Sequence, residues 1–286
     1  MRVSAPAKLI LFGEWAVTLG GTAVGTCLEP RFLLEHKASQ DFFCDFCGVV
    51  DQKSAELFFQ RVLESLKQES RGVWQTRMEF RADEGLGSSS ALIACAAKVR
   101  HPKISEHELW LSAQRVIREV QNPKASAMDA GLQIFGGSQV LRHKDQWQGI
   151  QLSRPNGLEV IHTGQKISTA EALAKTHVTN NWAERVSESV ERFLVSRDWK
   201  QAIEDHWSLL KEAGLVAETW RARVDQWIQW GWILAGKTTG AGGGDALLVL
   251  INPAQRREFE AEMGRLGYWV SKAGWESPGL RIEQSV

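Results

Sequence analysis

Cysteine is scarce in this chain: there are four in 286 residues, at Cys27, Cys44, Cys47 and Cys95. So few, so irregularly spaced, exclude a disulfide scaffold. Cys44 and Cys47 form a lone CDFC, and without a second paired half they read as packed thiols rather than as part of a zinc site. Net charge is also absent, because Lys plus Arg and Asp plus Glu both number 34. No overall field therefore marks the chain for nucleic acid or a membrane surface. No apolar run approaches the roughly 20 residues that span a bilayer. The opening MRVSAPAKLILFGEW lacks a signal-peptide pattern because Gly13 and Glu14 interrupt its apolar run, so a cytoplasmic location is expected. Internal repeats and low-complexity segments are missing as well.

What is present is a hydrophobic fraction of 43%, ordinary for a soluble globular protein, on a chain long enough for roughly two domains. Thirteen tryptophans, mostly at helical or strand spacing, read as packing residues.

RVSAPAKLILFG and GTCLEPRFLLEHKA are β-rich runs bounded by Gly and Pro. In WQTRMEFRA, Trp74, Thr76, Met78 and Phe80 alternate with polar residues as on a half-buried strand, which leads straight into DEGLGSSSAL. SSSALIACAAKV favours a helix with Ser88, Ser89 or Ser90 as its cap, and a second helix is expected from Ser105 to Val120. GGSQVLRHKDQWQGIQL reads as strand, turn, strand, and LEVIHTG as another strand. From Asn180 the residues Trp182, Val186, Val190, Phe193 and Leu194 share one helical face, and similar stripes continue to Trp227. GKTTGAGGGDALLVLI reads as a glycine turn feeding a buried strand, with YWVSKAGW and LRIEQ as edge strands. The mixture predicts an α+β architecture of two domains, 1–154 and 155–286, with a cleft between them.

DEGLGSSSAL has the parts of a phosphate cradle. Glycines let the chain expose consecutive N–H groups, and a helix start favours an anion. Asp83 and Glu84 at its entrance would repel that anion. The loop has neither the lysine and spacing of a Walker loop nor the dinucleotide pattern, so by itself it is also compatible with a tight turn.

Four passages together say more. PAKLILFGEWAV (6–17), GLGSSSAL (85–92), ASAMDAGLQIFGG (125–137) and TTGAGGGD (238–245) resemble, in order and spacing, the motifs of the GHMP small-molecule kinases. That family includes galactokinase, homoserine kinase, mevalonate kinase and phosphomevalonate kinase. The resemblance runs over essentially the whole chain, and VIHTGQKISTAEAL (160–173) is similar to the family's strand and Ser-Thr turn that open the second domain.

The resemblance implies a GHMP-kinase-like fold with the active site between the domains, ATP and Mg²⁺ as cofactors, and a small-molecule acceptor. It implies no nucleic-acid or membrane partner, and a monomer or homodimer. Gly85, Leu86, Gly87, Ser88, Ser89 and Ser90 would surround the ATP phosphates, with Ser89 meeting Mg²⁺ and Glu119 as a second candidate ligand. Asp129 matches the aspartate near the acceptor hydroxyl and Lys8 the lysine beside it, whose charge stabilises the carboxylate. Glu14, Lys124, Ser126, Thr169, Gly240, Ala241 and Gly242 fall on the acceptor side.

FGEWAV is similar to the first motif of the isoprenoid branch. GAGGGD, ending in Asp245, and QNPKASAMD, with Lys124 ahead of the aspartate, are similar to phosphomevalonate kinases, so 5-phosphomevalonate is the expected acceptor and mevalonate the alternative. Diphosphomevalonate decarboxylase and an inactive binding protein of the same fold are further alternatives. The chain departs from the family pattern where Trp15 replaces a histidine, Ala127 a glycine and Gln114 the helical glutamate.

Overall fold

The computed structural model describes residues 1–49, 51–69, 71–82, 84–164, 178–240, 244 and 246–284. Its first sheet is organised around one long strand. β1 (Arg2–Phe12) pairs antiparallel along β2 (Ala23–Lys37). The second half of β2 then pairs with β4 (Gly72–Met78), and its first half with β5 (Ser138–Arg142). β3 (Phe42–Phe46) lies parallel to β4, and β6 (Gln146–Ile150) antiparallel to β5. With β11 (Arg281–Ile282) against β1, the described sheet has seven strands. The second sheet has the order β10 (Trp269–Val270), β7 (Leu158–His162), β9 (Ala246–Ile251), β8 (Ile233–Thr238).

The helices are α1 (Gln52–Ser65), α2 (Ser88–Arg100), α3 (Glu106–Val120), α4 (Met128–Phe135), α5 (Asn180–Ser196), α6 (Trp199–Glu212), α7 (Glu218–Gln229) and α8 (Arg256–Leu266). The fold is α+β. α3 begins where its sequence says it should: Ser105 and Glu108 form a reciprocal capping box that satisfies two helix-start donors. α5 is capped by Thr179, whose hydroxyl accepts from Trp182 N–H at 3.2 Å. Its inner face, Trp182, Val186, Val190 and Phe193, is buried as the spacing requires.

Three features differ from the sequence reading. β4 stops at Met78 rather than running to the glycine loop, so Phe80 is buried from a bend, not from a strand. β3, α1, α4 and α8 were not expected at all. The tail beyond Ala273 returns to the first sheet, although the sequence division assigned 155–286 to the second half: Glu29 N–H donates to Gly274 O at 3.0 Å, and Gly137 N–H to Ser277 O at 2.9 Å.

A continuous core joins the two sheets. Phe12 at the end of β1 packs against Phe193 of α5 (centroids 4.8 Å apart) and His206 of α6 (4.7 Å). Trp74, Trp110 and Trp227 are fully buried, which agrees with the packing role read from the tryptophan spacing. Among the described residues no helix is long and apolar enough to cross a membrane.

Candidate active site

The glycine loop delivers an open helix start. Gly87, not a serine, occupies the N-cap of α2; its backbone is left-handed (φ 87°), and among the described residues no side chain caps the helix. The expectation of a serine cap is corrected here for a geometric reason. Ser88 to Ser90 already lie within the helix, whose first-turn N–H groups have no intrahelical acceptor. Together with the helix dipole they suit an anion. Ser89 is exposed in that turn. Ser90 is buried, with its hydroxyl 2.9 Å from Gly87 O and 2.8 Å from Gln133 Oε1.

Glu84 does not crowd these donors. Its carboxylate turns back and accepts Arg81 N–H at 3.1 Å, closing the bend that precedes the loop. Asp83 lies outside the described residues.

Lys8 enters beneath the loop. Its own N–H donates to Leu86 O at 3.0 Å, so β1 and the glycine loop are joined by backbone as well as by side chain. A Cβ on Gly87 would lie 2.9 Å from both Cγ and Cε of Lys8, closer than side chains tolerate; a glycine is required for the lysine to pass. The Lys8 ammonium then reaches Asp129 Oδ1 at 3.1 Å. The lysine side chain is buried, while that of Asp129 is 38% exposed and accessible to a ligand. Asp129 stands in the first turn of α4, where the helix dipole favours its charge.

Gln133, which the sequence reading missed, ties these parts together. Fully buried, it donates through Nε2 to Pro6 O and Gly87 O, both at 3.0 Å. It thereby fixes β1, the loop and α4 to one another. Its position four residues after Asp129 on the same helical face was the available signal. Gln114 donates to Ser126 O at 3.4 Å, and Ser126 Oγ accepts Met128 N–H at 3.3 Å, so Ser126 is held at the start of α4. A glutamate at 114 has no donor for that carbonyl. Ala127, at the family's glycine position, is left-handed (φ 57°), which explains why a glycine suits that place.

Glu14 is placed differently from its expected role facing the acceptor. It is buried and forms an ion pair with the fully buried Lys237 of β8, whose ammonium also donates to Thr238 O at 2.8 Å. Burial pushes the Glu14 carboxyl up and the Lys237 ammonium down, and the charge of each opposes the shift of the other. Lys237 was missed in the sequence, although a lysine within ILAGKTTG is itself a signal, since lysine is rarely buried without a partner.

Glu119 is not brought to the glycine loop. It accepts a hydrogen bond from Ser65 at the end of α1, so it is directed at a neighbouring helix rather than at Ser89. No cluster of three or more metal-ligating side chains occurs among the described residues. Lys124 is exposed on the turn between α3 and α4. Gly240 and Gly244, the described glycines between β8 and β9, have φ 68° and 87°. Thr169, Ala241, Gly242 and Asp245 lie outside the described residues. Leu86 of the loop also lines a cavity of about 450 Å³ whose walls include Pro30, Phe80, His162 and Trp269 together with the acids Glu29, Glu79 and Glu84, so that it draws on both sheets.

No protein-family model matches the chain. A mevalonate kinase of Archaeoglobus fulgidus is 26% identical over 99% of this chain and 100% of its own length. Among solved structures, a Lin0012 protein from Listeria innocua superposes with a TM-score of 0.81 at 16% identity, covering 100% of both chains. The Streptococcus pneumoniae phosphomevalonate kinase in complex with phosphomevalonate and AMPPNP gives 0.74 at 14% identity, covering 96% of this chain and 99% of that one. The two structural likenesses speak to the fold.

Proposed function

Because the chain belongs to the GHMP small-molecule kinase family, we propose that it transfers the γ-phosphoryl group of ATP to the hydroxyl of mevalonate. The observation that carries this reading is the Lys8–Asp129 ion pair set directly beneath an uncapped glycine-loop helix. The helix start binds the phosphates through backbone donors. The cavity beside Leu86 offers room for the nucleoside end. Asp129, exposed on one side, accepts or orients the proton of the acceptor hydroxyl. The acceptor oxygen forms its bond to the γ-phosphorus as the bridging bond to ADP breaks, and the proton passes to the carboxylate. Lys8 stabilises the charge of the group in transfer and keeps Asp129 oriented. Mg²⁺, when bound, would offset charge on the triphosphate, and the exposed Ser89 hydroxyl is the side chain that would hold it.

Mevalonate is favoured as acceptor by the full-length relative named a mevalonate kinase. A second reading, 5-phosphomevalonate, is favoured by GAGGGD and QNPKASAMD; the Lys124 ammonium, exposed ahead of Asp129, is free to meet a second phosphate. The intact TGAGGG run weighs against the decarboxylase. A coupled ADP-release assay of the purified chain with ATP, Mg²⁺ and each acceptor separates these readings. Turnover of mevalonate is expected. Turnover of 5-phosphomevalonate alone establishes the second reading, and release of carbon dioxide from diphosphomevalonate overturns both.

A further inference from the structure

An ion pair buried at a junction between two sheets is poor stabilisation. Replacing such a pair by apolar side chains is often neutral or favourable, because both charges lose their water. The Glu14–Lys237 pair carries further liabilities. Glu14 Oε2, Trp15 Nε1 and Thr238 Oγ1, which belong to the pair or to its sequence neighbours, are buried without a hydrogen-bond partner among the described residues. Trp15 is held at φ 64° and ψ −45°, with Ala16 N–H donating to Glu14 O at 2.7 Å, a tight turn that L-residues rarely adopt. Unfavourable backbone and unsatisfied polar atoms concentrated in one place point to function.

The pair's position supplies that function. Glu14 lies on the turn that ends β1, the strand carrying Lys8. Lys237 lies at the end of β8, where its ammonium also holds Thr238 O at the base of the glycine turn. Two further contacts meet described residues beside it: Thr239 N–H donates to Ala246 O at 3.0 Å, and Thr163 Oγ1 donates to Gly244 O at 2.5 Å. The ion pair is thus a direct tie between the turn after the strand bearing Lys8 and the end of β8 in the other sheet.

We infer that Glu14 and Lys237 are positioning residues, which hold the turn after β1 and the end of β8 in register so that a bound acceptor meets Lys8 and Asp129. Neither touches the reacting atoms; they act through the segments they join. Small misplacements of a bound substrate reduce rate far more than they reduce binding of a remote group. The inference rests on the kinase reading above.

The test is a cycle of Lys237→Met, Glu14→Leu and the double variant, each measured for thermal unfolding, ATP affinity and acceptor kinetics. Each single variant leaves one buried charge and is expected to unfold well below the wild type. The apolar double variant is expected to recover the wild-type midpoint and ATP affinity while kcat stays about 10- to 100-fold down. Lys237→Arg keeps the charge but alters its reach, and serves where the double variant does not fold; the same loss of kcat with unchanged ATP affinity is expected. A folded double variant, or Lys237→Arg, with wild-type kcat overturns the inference. A wild type that phosphorylates no acceptor overturns instead the reading on which it rests.

Discussion

Lys8 of the first strand and Asp129 of a helix more than a hundred residues later are joined at 3.1 Å, and the lysine passes so close to Gly87 that a Cβ there would lie 2.9 Å from its Cγ and Cε. Gly87→Ala therefore has two effects. It strains a left-handed backbone by about 1–2 kcal/mol, and it pushes the Lys8 methylenes aside. Turnover is expected to fall at least tenfold while the protein stays folded, read from steady-state kinetics beside a thermal melt.

The adjacent serines separate ligand contact from structure. Ser89→Ala removes an exposed hydroxyl, so stability should change by less than about 0.5 kcal/mol while the requirement for ATP and Mg²⁺ rises. Ser90→Ala leaves the buried Gln133 amide oxygen without its hydroxyl neighbour and should destabilise by about 1–3 kcal/mol. Chemical denaturation and ATP titration of the two variants check this contrast.

Ala127 occupies a left-handed position that an alanine adopts at a loss of about 1 kcal/mol. Ala127→Gly should raise the unfolding midpoint by a few degrees, with the gain reduced by the greater freedom of glycine in the unfolded chain. A lower midpoint would show that the methyl group's packing outweighs the strain.

His206 predicts an acid-side effect. Burial, with the nearby Lys237 charge as a second cause, lowers its pKa to about 3, whereas the unfolded imidazole titrates near 6.5. Between those values the unfolded state binds more protons. Its contribution is thus present above pH 6.5 and is lost as pH falls toward 3, with a slope of at most about 1.4 kcal/mol per pH unit. The wild type should lose stability faster than His206→Gln between pH 6 and pH 4; parallel curves from denaturation at each pH would contradict this.

Local pattern made much of this fold legible. The start of α3 at Ser105, the buried stripe of α5 and the buried strand β9 follow from side-chain periodicity and cap chemistry. α1 was missed because its buried stripe is narrow, only Phe59, Val62 and Leu63. Because α1 was missed, the direction of Glu119 was missed too: its partner Ser65 sits on that helix. Lys8 and Asp129, which the structure joins in an ion pair, were singled out through family resemblance, since neither residue is distinctive in its own segment. Gln133 and Lys237 escaped because their roles arise from contacts distant in sequence, Gln133 with Pro6 and Lys237 with Glu14. No local signal specifies such a partner, only the oddity of a polar side chain on a buried face.

The central claim is that the Lys8–Asp129 pair carries out phosphoryl transfer. Single-turnover transfer from γ-labelled ATP to mevalonate, in the wild type and in Asp129→Asn, tests it most directly, because the substitution keeps the shape and removes the proton acceptor. The account predicts labelled phosphomevalonate in the wild type, a rate lower by about 10² or more in Asp129→Asn, and equal ATP affinity and unfolding midpoints in the two proteins. Transfer at the wild-type rate by Asp129→Asn would contradict it.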